Sequence, residues 1–227
     1  MNSHAFTFCA ETFHALPSGA LWWPAAGLLC VSDLHLGKAE RMARRGGPVL
    51  PPYDTADTLS RLDAALAATG ARRVVCLGDS FDDLAAGAAL AADHRAWLLR
   101  LMAGRDWTWV EGNHDPGPLD LPGTHRAALL AGAVTFRHMA RPGAAGEVSG
   151  HYHPKARIAL RGASVARPCF LADRCRVILP AFGTYTGGLA TTDPALDGLM
   201  GPEARAILTG RRALAIPMPR LPARRRA

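Results

Sequence analysis

Between residues 54 and 68 the apolar positions Ala56, Leu59, Leu62, Ala65 and Leu66 recur every three or four residues, with Asp54 before them and Gly70 after. That spacing lays one apolar stripe along a helix, capped by Asp54 and stopped at Gly70. Segments 5–9, 20–23 and 27–31 are short apolar runs separated by Pro17, Ser18, Gly19 and Pro24, which predicts strand, turn, strand. Segments 73–77 and 107–110 read as buried strands, 84–102 as one long Ala-rich helix, and 121–131 as a helix leading into strand 133–136. Strands alternating with helices predict βαβ units and a largely parallel inner sheet, an α/β class. After Gly150 the texture becomes β-rich: segments 156–160, 164–170 and 176–179, a Gly-rich loop over 183–189 and a final strand at 213–216 predict a second sheet facing the first. No repeat or linker divides the 227 residues, so a single domain is expected over 1–227, with a flexible, solvated basic tail at about 218–227.

Composition narrows the class. Hydrophobic residues make up 49% and charged residues 20%, the balance of a chain that buries a core, which excludes disordered and fibrous readings. The longest apolar run, 20–31, is broken by Pro24 and Gly27 and falls short of the roughly 20 residues a membrane helix needs, so no membrane span is expected. The N-terminus shows no secretory pattern, and the expected compartment is the cytoplasm. Five cysteines, an odd number without C-x-x-C spacing, argue against a disulfide framework and a thiolate zinc site. The net charge of +7 suits an acidic polymer such as nucleic acid. Only Lys38 and Lys155 are lysines, however, and an arginine-, alanine- and glycine-rich chain carries a compositional bias that weakens this signal.

The chemistry lies where Asp, His and Asn fall relative to the strands. Segment 27–31 runs into Ser32-Asp33-Leu34-His35, and residues i and i+2 of an extended chain share a face, so Asp33 and His35 are expected to reach one metal ion together. Segment 73–77 runs into Gly78-Asp79-Ser80-Phe81-Asp82, and 107–110 into Gly112-Asn113-His114-Asp115. Beyond the carboxyl ends of parallel strands such groups converge in one crevice. His138 and the pair His151 and His153 follow. Asp33, Asp79, Asn113, His35, His138, His151 and His153 are seven candidate ligands, too many for one tetrahedral ion and suited to two. A mixed N/O shell without thiolate favours Mn, Fe or Zn, and a paired site serves in-line displacement at phosphorus by an attacking hydroxide.

Asp33-x-His35, Gly78-Asp79-x-x-Asp82, Gly112-Asn113-His114-Asp115 and Gly150-His151-x-His153, in this order, resemble the calcineurin-like metallophosphoesterases over about residues 20–190. Ser32 to Ala39, the segment 44–52, Thr58-Leu59-x-Arg61-Leu62 and Leu77 to Phe81 are similar to the bacterial DNA-ligase-associated subgroup. The resemblance implies a four-layer α/β/β/α sandwich with two facing sheets and a metal-dependent endonuclease or phosphodiesterase acting on DNA, with single-stranded DNA the expected substrate. It also implies two divalent ions, Mn²⁺ foremost, and association with a ligase and a helicase in DNA repair. Carried across, Asp33, His35 and His153 would hold one ion, Asn113, His138 and His151 the other, and Asp79 would bridge them. His114 would face the scissile phosphate as proton donor or charge stabiliser, oriented by Asp82 or Asp115.

His125 competes with His138; His138 is preferred because a strand end delivers it to the crevice, whereas 121–131 reads as a helix. Arg41, Arg44 and Arg45 form either a phosphate-backbone track or a solvated face. The five tryptophans read as core, and Tyr152 as a packing residue between two ligands. Two other functions stay open: a phosphatase or small-molecule (cyclic-nucleotide) phosphodiesterase using the same site, and a non-catalytic scaffold for repair partners, against which the full ligand set and His114 count.

Overall fold

The computed structural model describes residues 2–117, 120–160 and 163–221. Its first sheet has seven strands in chain order: β1 (His4–Phe8), β2 (Glu11–Ala15), β3 (Leu21–Trp23), β4 (Leu28–Val31), β5 (Arg73–Leu77), β6 (Asp106–Val110) and β7 (Thr124–Arg126). Pairing is antiparallel up to β4 and parallel from β4 to β7. Between β4 and β5 lie α1 (Lys38–Arg44) and α2 (Asp54–Thr69); between β5 and β6 lie α3 (Leu84–Ala88) and α4 (Ala92–Met102). The second sheet is built from β8 (Ala128–Ala131), β9 (Val134–Arg137), β10 (Glu147–Ser149), β11 (Lys155–Leu160), β12 (Ala163–Ala172), β13 (Arg176–Ile178), β14 (Arg205–Leu208) and β15 (Leu214–Pro217). Its order is β15-β14-β12-β13-β10-β9-β8, with β11 paired to β12, and β9, β10 and β13 run parallel. Helix α5 (Pro194–Leu199) lies between β13 and β14 in the chain.

Alternation along the strands sorts the core into layers. In β4, Leu28 and Cys30 face the second sheet while Leu29 and Val31 face α2 and α4; in β5, Val75 and Leu77 face the second sheet and Val74 and Cys76 the helices. From the other side Phe170, Val177 and Ile207 enter the inter-sheet core, while Cys169, Leu171, Ile178 and Ala206 pack outward against Leu196 and Met200. Strands buried on both faces need continuous apolar runs, and this is why β4 and β5 stand out in the sequence. The result is an α/β sandwich of two facing mixed sheets. Trp23, Trp107 and Trp109 are buried, and Trp22 and Trp97 pack against the core.

Two expected helices are corrected. The segment 84–102 breaks at 89–91, where Ala91 is extended and Leu90 turns into the core, giving α3 and α4. The segment 121–131 is not helical at all. Residues 124–126 pair in parallel with β6, and 128–131 pair antiparallel with β9. Gly123, at φ +109, sits so close that a Cβ would lie 2.8 Å from the Trp107 carbonyl, and sheet pairing overrides the helical spacing. Asp54 is the first residue of α2 rather than its cap, and its carboxylate accepts the Ala39 N–H of α1 instead. Of the expected tail, residues 222–227, including Arg224, Arg225 and Arg226, lie outside the described residues.

Candidate metal centre

The parallel strands of both sheets end at one rim. The turn after β4 carries Asp33 and His35, that after β5 carries Asp79 and Asp82, and that after β6 carries Asn113, His114 and Asp115. His138 directly follows β9 and His151 and His153 follow β10, so the second sheet contributes three imidazoles to a site the first sheet opens. All seven expected ligands gather here. The ligand atoms of Asp33, His35 and His153 lie within 4.8 Å of one another, as do those of Asp79, His138 and His151. Asn113 Oδ1 is 2.9 Å from His138 Nε2.

The backbone at these positions corrects the sequence argument. Asp33, His35, Asp79, His151 and His153 all have positive φ, from 44 to 70°. Asp33 and His35 are therefore brought together by left-handed turns that aim them inward, not by lying on one face of an extended strand. Each such residue costs about 1–2 kcal/mol, and strain of this kind concentrates at functional sites. Neighbouring turns hold it in place. His35 N–H donates to Asp79 O at 2.9 Å, Gly183 N–H to Asp33 O at 3.0 Å and Gly150 N–H to His138 O at 2.9 Å. Asp115 accepts N–H bonds from Asp79, Ser80, Phe81 and Gly112, clasping the Asp79 turn rather than touching His114. Burial, then the charge of Asp79, pushes the Asp115 carboxyl up to about 6. Glycine is required where loops touch: a Cβ on Gly112 would lie 2.1 Å from Asp79 N, and one on Gly150 1.6 Å from Ser32 Oγ.

Hydrogen bonds fix the imidazole tautomers. His35 Nδ1 donates to Asp82 Oδ1 at 2.7 Å, and His138 Nδ1 donates to Leu77 O at 2.8 Å. Each ring is left with Nε2 facing the centre. His35 Nε2 and His153 Nε2 are buried without a hydrogen-bond partner, although His153 Nε2 stands 3.2 Å from Asp33 Oδ1. Around His138 Nε2 stand Asn113 Oδ1 at 2.9 Å, His151 Nδ1 at 3.2 Å and Asp79 Oδ2 at 3.4 Å. A neutral His138 would point its lone pair at further lone pairs, so the cluster demands positive charge at its centre. Protein groups alone meet that demand with a proton: burial opposes it, but the Asp79 and Asp33 carboxylates raise His138 to about 9. Asp79 falls to about 2, burial being outweighed by His138. His151 is lowered by burial and by the neighbouring His138 charge. Ligand atoms 3–4 Å apart are what N and O donors about 2.1 Å from a shared cation require, so the residues fit divalent metal.

A third grouping, His35, Asp82 and His114, went unexpected as a cluster. It is not a comparable cation site, because Lys38 and Arg41 already pair with Asp82 at 3.2 and 2.8 Å. Asp82 instead serves both histidines: its carboxylate holds His35, and its backbone carbonyl accepts His114 Nδ1–H at 2.9 Å. No sequence signal marks the backbone carbonyls of Leu77 and Asp82, which fix two rings.

His125 lies on β7 opposite Trp109, its ring stacked 6.5 Å away, outside the clusters. Tyr152 meets His151 edge-on at 5.0 Å and packs against the outer core. Arg41, Arg44 and Arg45 all pair with Asp83, Arg41 with Asp82 and Arg44 with Glu40 as well.

Fold and site together define an α/β sandwich protein whose two sheets converge on Asp- and His-rich clusters able to hold metal ions. The crystal structure of Pseudomonas putida nuclease MPE is similar to it, with a TM-score of 0.72 and 30% sequence identity over 94% of this chain and 100% of that one. The chain belongs to the family of that nuclease. No family model and no curated protein sequence matches it. Among the described residues no helix is long and apolar enough to cross a membrane.

Proposed function

We propose that the protein is a dinuclear metal-dependent phosphodiesterase of the calcineurin-like kind, a nuclease that cleaves within single-stranded DNA. The observation that carries the reading is the convergence of acceptor atoms on His138 Nε2 beside the two orphaned nitrogens of His35 and His153. Asp33, His35 and His153 would hold one ion, and Asn113, His138 and His151 the other. Asp79 Oδ2, 4.0 Å from His35 Nε2 and 3.4 Å from His138 Nε2, faces both groups and suits a bridge. When bound, such a pair of ions, read as Mn²⁺ with Fe or Zn as alternatives, supplies an activated water and neutralises charge on phosphoryl oxygens.

The chain's own groups supply the rest. His114 donates Nδ1–H to Asp82 O, which leaves Nε2 to carry a proton to the leaving oxygen. Its N–H also bonds Asp79 Oδ1 at 2.9 Å, tying the proton donor to the bridging carboxylate. Similarity to a nuclease and the net charge of +7 favour a polynucleotide over a small ester. A place beside a DNA ligase and a helicase in repair rests on the sequence resemblance alone.

The test is a parallel assay of the Mn²⁺-loaded protein on circular single-stranded DNA, duplex DNA, and chromogenic phosphodiester and monoester. Cleavage of the circle, which offers no end to an exonuclease or phosphatase, is the expected result. An intact circle with rapid hydrolysis of small esters would replace the nuclease reading with a small-molecule one, and inactivity on all four with a scaffold.

A further inference from the structure

Two neighbouring cavities begin at the 182–183 segment that backs the Asp33 turn. One, of about 240 Å³, is lined by Arg61, Lys155, Tyr185 and Thr186; the next, of about 310 Å³, extends to Arg211. Ser18 and Arg61 line both, which joins them into one groove. Its inner wall is part of the site's own framework. Phe182 and Gly183 donate backbone N–H groups to Ser32 O and Asp33 O at 2.8 and 3.0 Å, and Lys155 lies two residues beyond His153. Tyr185 is held at φ +62 in this wall, a conformation that a bulky residue adopts rarely.

The charge of the groove sets it apart from helix α1. Among the described residues no carboxylate lines either cavity. Lys155 Nζ donates to the Thr186 carbonyl at 3.0 Å and has no carboxylate in ion-pair reach among the described residues; the exposed Arg211 is in the same position. Arg61 bonds Asp57 and Thr184, and its guanidinium lies 4.8 Å over Phe182. On α1, by contrast, the charges of Arg41, Arg44 and Arg45 are already met by Asp82, Asp83 and Glu40. Of these two flanks, the groove and not the arginine-rich helix that follows the first motif therefore carries positive charge without a carboxylate partner.

We propose that this groove is the track for the sugar-phosphate backbone of the strand being cut, with Lys155 and Arg211 each meeting a phosphate away from the scissile one. The inference rests on the reading of the protein as a single-strand nuclease and adds where the strand runs. Each single-strand phosphate neutralised contributes about 0.7 to the slope of log affinity against log salt, or about fivefold in affinity per tenfold of salt.

The experiment measures binding of the Mn²⁺-loaded protein to a fluorescein-labelled phosphorothioate oligothymidylate, which keeps its charge and resists cleavage, by anisotropy across a salt series. The double variant Lys155→Gln/Arg211→Gln should lose about two phosphate contacts of slope. Arg44→Gln/Arg45→Gln removes the same charge from α1 and should lose far less. Arg211→Gln alone, in an exposed turn, should lose about one contact, which keeps the test valid should loss of Lys155 disturb β11. Equal slopes for the two double variants, or an unchanged slope for Arg211→Gln, would overturn the track. Cleavage of the unmodified oligonucleotide by the parent protein is assayed alongside. A parent that neither binds nor cuts ends the nuclease reading itself, whereas one that binds and cuts with variant slopes unchanged ends only the track.

Discussion

His35 and Asp82, 47 positions apart, share a 2.7 Å hydrogen bond in which the carboxylate accepts from Nδ1 and leaves Nε2 facing Asp33 and Asp79. Partners that fix a ligating imidazole are worth about 10–100-fold in metal affinity. Asp82→Ala should therefore weaken Mn²⁺ binding by about that factor, while Asp82→Asn, which keeps an acceptor, should lose less. Calorimetric metal titration decides it; parent-like affinity in the alanine variant would mean that packing alone orients His35.

Glycines 78 and 70 provide a matched pair. Both have positive φ, +72 and +63°, but a Cβ on Gly78 would stand 2.5 Å from His138 Nδ1, whereas one on Gly70 meets nothing within 4 Å. Gly70→Ala should cost about 1–2 kcal/mol, the strain of a left-handed alanine. Gly78→Ala should cost about 1–3 kcal/mol more, because His138 must leave the Leu77 carbonyl. Urea unfolding of the two variants measures the difference, and equal losses would show that His138 shifts freely.

Much of the scaffold could be read from the sequence because its signals are local. Strand β4 is apolar throughout and β5 from Val74 onward, both buried on both faces, and Asp33, Asp79 and Asn113 follow the ends of their strands within three residues. What escaped depends on partners distant in the chain. The left-handed backbone of Asp33 and His35 is imposed by the 78–80 turn and by Gly183, and nothing within Ser32-Asp33-Leu34-His35 announces it. Residues 124–131 carry helical spacing yet become β7 and β8, since β6 and β9 offer unpaired edges. The arginines of α1 looked free because Asp83, nearly 40 residues further on, could not be seen beside them.

Thiol chemistry should divide the cysteines by depth. Cys30, Cys76 and Cys169 are buried and Cys175 is exposed. Burial pushes the Cys169 thiol up to about 12 and the thiols of Cys30 and Cys76 well above their ordinary range. Alkylation needs access to the sulfur as a thiolate, so the exposed Cys175 should be labelled in the folded protein and those three left unmodified until the chain unfolds. Mass spectrometry of the iodoacetamide-treated native protein reads this directly; modification of Cys76 in the folded state would contradict the packing.

His114 is distinguished from its neighbours by what its removal should spare. A proton donor to the leaving oxygen contributes about 10²–10⁴-fold, so in the role proposed for it His114→Ala should lower the rate by that order while retaining its metal. The loss should shrink on a nitrophenyl ester, whose leaving group needs no proton. A variant emptied of metal would make His114 a ligand instead.

Asp79 is the residue whose loss should reach both halves of the centre. Its Oδ2 stands between His35 Nε2 and His138 Nε2, and its Oδ1 accepts the His114 N–H. Asp33 Oδ1, 3.2 Å from His153 Nε2, approaches His138 only on its Nδ1 side, at 3.9 Å, where Leu77 O already accepts the ring N–H. Asp79→Ala should empty both metal positions, since each loses a negatively charged oxygen, whereas His35→Ala should mainly weaken one. Occupied sites also stabilise the fold, by about 2.7 kcal/mol at a hundredfold excess over the dissociation constant. Added Mn²⁺ should therefore raise the melting temperature of the parent, raise that of His35→Ala by less, and leave Asp79→Ala unchanged. Metal analysis by mass spectrometry together with the melting shifts tests the assignment, and two tightly held ions in Asp79→Ala would refute the bridge.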